Sequence, residues 1–224
     1  MSASPTWDPV WDQIYRRRSW GKYPKEELIR FVARHYYGAP KRDGIRFLDV
    51  GCGFGSSACY LAREGFTVDA MDGSPVIVDL LRERLVVESL NVTLTSGDAS
   101  ALPYPASTFD CVVDICCFQH NAPGDCRDIL NCVFDKLKPG GRLFSMSASE
   151  AMWGNGLGTE VAESTYVNIQ EGPFAETGIA RFSTEKEIRG LYSQFSDLHV
   201  ELSEYTTDNR RHKISHWVID GVKT

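Results

Sequence analysis

Two periods of apolar residues alternate along the chain, and the switches between them mark its elements. Short apolar runs bounded by glycine or acidic residues fall at 46–50, 66–71, 91–95, 109–116 and 142–146, and read as strands. Stretches at helical spacing lie between them, at 56–63, 76–88 and 125–137. Gly65 follows the first of these helices and suits a left-handed cap. Five strands interleaved with three helices predict a parallel sheet with helices on both faces.

The two ends and one internal stretch depart from this rhythm. Trp7, Trp11 and Tyr15 recur at every fourth position, which puts them on one face of a helix. That face reads either as core packing or as an aromatic flap over a ligand cleft. Pro24 suits the first position of a second helix, with Glu26 and Glu27 favourable in its first turn. This helix carries Leu28, Phe31, Val32 and Tyr36 inward and stops near Pro40. Residues 149–182 hold five glycines and little periodicity, the mark of a lid or binding loop. Thr184 and Glu187 form a capping box for a helix reaching about residue 195. Segments 197–206 and 212–221 flank Asp208 and read as a closing hairpin. The chain thus reads as one α/β domain over 1–224, doubly wound, with a helical aromatic cap at 1–40 and a lid-like insertion at 149–182.

Composition narrows the function classes. A length of 224 residues suits one domain, and 42% hydrophobic with 24% charged residues is ordinary for a globular protein. A net charge of −6 argues against non-specific nucleic-acid binding. Residues 16–46 carry ten Lys or Arg against three acids, either a patch for an anionic substrate or a solvated helix face. Seven cysteines with no C-x-x-C pair indicate a reducing compartment without a disulfide framework, and no Cys/His spacing suggests zinc. No signal-peptide pattern or membrane-length apolar run occurs, so the expected location is cytoplasmic, as a monomer or homodimer.

The chemistry starts at Leu-Asp-Val-Gly-Cys-Gly-Phe-Gly, residues 48–55. Glycines 51, 53 and 55 after a strand make a turn that a ligand can approach closely. Ser56 stands where a dinucleotide fingerprint continues differently, and the Gly-Lys-Ser/Thr of a phosphate loop is absent. Downstream lie Asp72 at the end of the second strand, Gly97-Asp98-Ala99, Leu102-Pro103 with Phe109-Asp110, and Leu137-Lys-Pro-Gly-Gly141. In this order the segments resemble the class I S-adenosylmethionine-dependent methyltransferases. The resemblance covers 46–146 and implies a Rossmann-like, mostly parallel seven-stranded sheet of order 3-2-1-4-5-7-6 with an antiparallel C-terminal hairpin.

The resemblance also implies a site. Asp49, Gly51, Cys52 and Gly53 would face the amino-acid portion of S-adenosylmethionine. Asp72, with Gly73 and Ser74, would take the ribose hydroxyls, and Asp98 with Ala99 the adenine. Cys116, Trp20 and Tyr23 complete the expected cofactor contacts, the aromatics by stacking or cation–π attraction. His120, just past the fourth strand, reads as a general base or substrate-orienting group, or else as a cofactor contact or helix cap. Gln119, Trp153, Tyr166 and Arg181 are candidate substrate contacts. The implied reaction moves a methyl group to an oxygen, nitrogen or carbon of a small metabolite and leaves S-adenosylhomocysteine. A non-catalytic partner on the same fold and an aminopropyl transferase are the alternatives.

Overall fold

A computed structural model describes residues 7–19 and 21–224. Its main sheet is built from β1 (Arg46–Val50), β2 (Thr67–Asp72), β3 (Thr93–Ser96), β4 (Phe109–Ile115), β5 (Leu137–Ala148), β9 (Ser196–Thr207) and β10 (His212–Val222). The order across the sheet is β3-β2-β1-β4-β5-β10-β9. The first five strands pair in parallel, and β10 runs antiparallel to β5 and β9. This is the doubly wound order that the resemblance implies.

Both faces of the sheet are covered, so its central strands carry apolar residues at successive positions. On one face Phe47, Cys111, Val113 and Phe144 pack under α2 (Glu26–Tyr36) and α3 (Ser56–Arg63). On the other, Leu48, Val50, Val112 and Ile219 pack under α5 (Pro123–Lys136) and α6 (Glu185–Leu191). Between β2 and β3 the chain forms α4 (Pro75–Glu88), whose first turn is capped by Ser74: its Oγ accepts from the Ile77 N–H at 3.3 Å. The capping box of α6 is present as read from the sequence, with both Thr184 and Glu187 engaged.

Three local differences from the sequence reading have physical causes. First, α1 spans Val10–Arg17, so Trp7 precedes the helix and only Trp11 and Tyr15 share its face. Second, Leu137 already pairs with Phe109, and the Lys-Pro-Gly-Gly segment is a bulge within β5 rather than a separate turn. The chain end pins it there, through Gly140 N–H to Lys223 O (2.7 Å) and Lys223 N–H to Gly141 O (2.9 Å). Third, the insertion contains a second sheet of β6 (Thr159–Ala162), β7 (Thr165–Val167) and β8 (Ala180–Arg181). Strands of two to four residues leave no readable period. The glycines here serve backbone contact: a Cβ on Gly158 would press on Val167 O, and one on Gly172 on Trp153 O. Buried Met152, Ile169, Phe174 and Phe182 give this insertion its own small core.

Candidate functional site

A cavity of about 500 Å³ opens where β1, β2 and β4 end and the antiparallel β10 begins, the place where ligands bind in sheets of this kind. Its floor is the glycine turn. Gly51, Gly53 and Gly55 take φ of 67°, 50° and 73°, a region that side chains rarely occupy. Gly51 also has no room for a Cβ, because Cys117 already fills that space. Asp49 lies beneath and accepts from the Ala58 N–H at 3.0 Å, tying the strand to the first turn of α3. Burial pushes its carboxyl up to about 8, against the pull of that bond.

Asp72 joins the turn to the end of β2. Its Oδ2 accepts from Gly53 N–H and its Oδ1 from Ser74 N–H, both at 3.0 Å. Burial raises it to about 6, while the two backbone donors and the Tyr15 hydroxyl pull it down. Tyr15 therefore reaches from α1 onto this carboxylate. Its own ionisation is pushed far above the ordinary range by burial and by Asp72, so the hydroxyl is a donor at neutral pH.

The roof comes from the first residues described. Trp7 lies flush on Gly73, leaving no space for a side chain there. Trp11 contacts Tyr15 at 5.6 Å and the edge of His120 at 4.9 Å, between ring centroids. Tyr15 also meets Phe54 edge-on at 5.6 Å. Further along, Arg18 forms an ion pair with Glu176 of the insertion at 2.9 Å, and Asp12 bonds Ser74. Tyr23 stands at the mouth of the cavity, 85% exposed. Trp20 lies outside the described residues.

The third wall is the end of β4. Asp114, fully buried, accepts from Cys117 N–H (2.8 Å), Phe118 N–H (3.2 Å) and Ser145 Oγ (2.6 Å), which fixes the turn that follows. Cys116 takes a left-handed φ of 62° and lines the cavity; burial raises its thiol to about 12, so it is protonated. His120 sits in a short 3-10 turn, and both of its ring nitrogens are engaged. Nδ1 lies 2.8 Å from Ile179 O, and Nε2 lies 3.2 Å from Gln119 Nε2. Gln119 Oε1 accepts from Ala148 N–H at 2.6 Å, so its amide nitrogen is the end facing the ring. These partners define a neutral imidazole that donates from Nδ1 and accepts at Nε2. Burial lowers its pKa to about 4. The ring should stay neutral at pH 5.5, which nitrogen chemical shifts would show directly. Because its folded pKa is depressed, its stabilising share is complete above the ordinary value near 6.5 and is lost as pH falls toward 4. Over that window the wild type should lose melting temperature faster than His120→Gln.

The cavity thus gathers Asp49, Gly51, Cys52, Gly53, Asp72, Gly73, Ala99, Cys116, His120 and Tyr23 from the sequence-based set. The others serve elsewhere. Ser74 caps α4, and Asp98 caps the next turn by accepting from Ser100 N–H at 2.8 Å. Gln119 is fully buried between His120 and β5. Trp153 stacks on His212, with ring centroids 3.8 Å apart. Tyr166 packs on Phe182, and Arg181 turns inward to Ser183 Oγ at 3.1 Å. None of these four expected substrate contacts lines the cavity: Gln119 is used between β4 and β5, and Trp153, Tyr166 and Arg181 are used in the packing of the insertion. Its contribution to the cavity is instead Pro173, Phe174 and Thr177. At the far end stand Lys25, Tyr205, Ile214 and His216, which sequence reasoning missed. The alternation of Ile214 and His216 along β10 signals a shared face, but only the sheet order shows what that face meets.

With this geometry in view, comparison with known proteins is specific. A family model described as a methyltransferase domain matches residues 47–141. The ubiquinone biosynthesis O-methyltransferase of Methylocella silvestris is 29% identical over 124 residues, 55% of this chain and 48% of that protein. The protein of the same name from Coxiella burnetii is 34% identical over 101 residues, 45% of this chain and 42% of that one. This chain spans about half the length of the curated relatives it matches. A structure of a SAM-dependent methyltransferase from Methanosarcina mazei superimposes with a TM-score of 0.68 at 24% identity, over 85% of this chain and 96% of that one. Residues 47–141 thus match a methyltransferase domain, and the fold is the one seen in that SAM-dependent methyltransferase structure.

Proposed function

We propose that this chain binds S-adenosylmethionine in the cavity and directs its methyl group to a hydroxyl oxygen of a small-molecule acceptor. The observation that carries the reading is Asp72: a carboxylate at the end of β2, fixed by Gly53 and Ser74 N–H groups beside an αL glycine turn. A carboxylate so placed suits two vicinal hydroxyls once the Tyr15 hydroxyl gives up its place on it. The walls fit the rest of the cofactor. The glycine turn admits close approach, Ala99 and Met71 offer an apolar slot, and Trp11 and Tyr15 offer aromatic surface. When bound, the cofactor supplies an electrophilic methyl group on a positively charged sulfur.

The chain's own part is positional. Methyl transfer is an in-line displacement, so the walls need only hold acceptor and methyl in line and exclude water. Oxygen is favoured as the nucleophile because the relatives that match carry an O-methyltransferase name. The acceptor is small because the roof, the insertion and the sheet edge close the cavity to about 500 Å³.

S-adenosylhomocysteine should raise the melting temperature. At about 100 times its Kd the linkage is roughly 2.7 kcal/mol, or about 5–10 °C for a chain of this size. No shift with this ligand, or an equal shift with NAD, would overturn the reading.

A further inference from the structure

The proposed reaction needs a seat for the acceptor and a destination for its proton, and His120 cannot be that destination with both ring nitrogens engaged. The opposite end of the cavity offers another imidazole. His216, on β10, is 6% exposed and lines the cavity. Among the described residues neither of its ring nitrogens has a hydrogen-bond partner. From the end of β1, at Gly51, to His216 on β10 the path crosses β4 and β5, three strand spacings or about 14 Å. A small acceptor fits between the two.

The surroundings of His216 are built rather than incidental. Lys25 and Glu27, at the start of α2, are the charged groups that act on it. Ser203, its direct cross-strand partner on β9, donates to Glu27 and so anchors that carboxylate. Tyr205 and Ile214, paired one step along the hairpin, continue the same face of the cavity, with Phe174 and Ile115 lining it as well. Aromatic and branched apolar walls around one polar ring suit a flat acceptor with a single polar edge.

We infer that the β10 end of the cavity seats an aromatic hydroxyl acceptor and that His216 receives its proton. This rests on the methyl-transfer reading above. The acceptor's O–H donates to a ring nitrogen of His216, which points an oxygen lone pair at the incoming methyl carbon. As the C–O bond forms, the bonding pair of the departing C–S bond stays on sulfur, the O–H bond breaks, and the proton moves to the imidazole. Burial keeps this ring neutral beforehand, lowering its pKa to about 4. Oxygen grows far more acidic than an imidazolium while it is being alkylated, so even this weakly basic ring can take the proton. Lys25, exposed at the mouth, and Glu27 give the proton a route to solvent.

The test uses the full chain with S-adenosylhomocysteine bound and three probes: phenol, catechol and 4-hydroxybenzoate. At least one should shift the ring signals of His216 in proton–nitrogen spectra while leaving the Nδ1 donor state of His120 unchanged. That probe should be methylated when S-adenosylmethionine replaces the product. His216→Gln, which keeps a hydrogen-bonding group but cannot accept the proton, should lower kcat about 100-fold or more with the Kd for S-adenosylhomocysteine within twofold. If no probe moves the His216 signals in the loaded protein, or if the Gln variant turns over within threefold of wild type, the inference fails and the methyl-transfer reading stands. If S-adenosylhomocysteine itself does not bind, both fall.

Discussion

Replacing Asp72 with alanine should weaken S-adenosylhomocysteine binding by about 30- to 1000-fold, measured by calorimetry. The carboxylate would accept from two ligand hydroxyls, and charge-assisted hydrogen bonds each contribute roughly 1.5–3 kcal/mol. Part of this is recovered as water enters, leaving about 2–4 kcal/mol. The substitution also orphans the N–H groups of Gly53 and Ser74, so the glycine turn loses its tie to β2. Asp72→Asn separates the two effects. Its single carbonyl oxygen can serve one backbone donor but not both, so it should keep the fold and still lose most of the affinity. Affinity within threefold of wild type in both variants would remove Asp72 from the ligand's contacts.

Gly51→Ala should be the most destabilising single change in the floor of the site, at about 2–5 kcal/mol in urea denaturation. A left-handed backbone costs a non-glycine residue about 1 kcal/mol or more. The new methyl would also land on the Cys117 side chain, and overpacking of this kind costs about 1–3 kcal/mol. Cys117→Gly clears that space. In a double-mutant cycle the pair should recover at least about 1 kcal/mol relative to the sum of the single changes. Additive costs would show that backbone strain alone keeps glycine here.

These two positions belong to the half of the site that was legible in the sequence, and the reason is locality. The glycine turn and Asp49 lie within one strand–turn–helix unit, and Asp72 ends the adjacent strand, so a linear pattern places them together. The β10 end of the cavity has no such unit. Its walls come from the N-terminal segment, the start of α2, the insertion and the two strands of the hairpin, which only the sheet order brings together. Trp153 and Arg181 illustrate the opposite error. Their residue types suit ligand contacts, but the stack on His212 and the bond to Ser183 use them inside the protein. His120 falls between these cases: it is at the cavity, as its position after β4 implies, yet its hydrogen bonds to Gln119 and Ile179 and its ring contact with Trp11 hold it as a joint between β4, α1 and the insertion. Tyr15 was legible as part of the aromatic face at the start of the chain, but nothing in a linear pattern pairs it with Asp72.

That pairing sets a kinetic condition on the site. A ligand that brings two hydroxyls to Asp72 must displace the Tyr15 hydroxyl. Tyr15 does not stand alone, because Trp7 on Gly73, Asp12 on Ser74 and Arg18 on Glu176 fasten the same segment. The residence time of such a ligand should therefore follow the lifting of this segment as well as the ligand's contacts with the sheet.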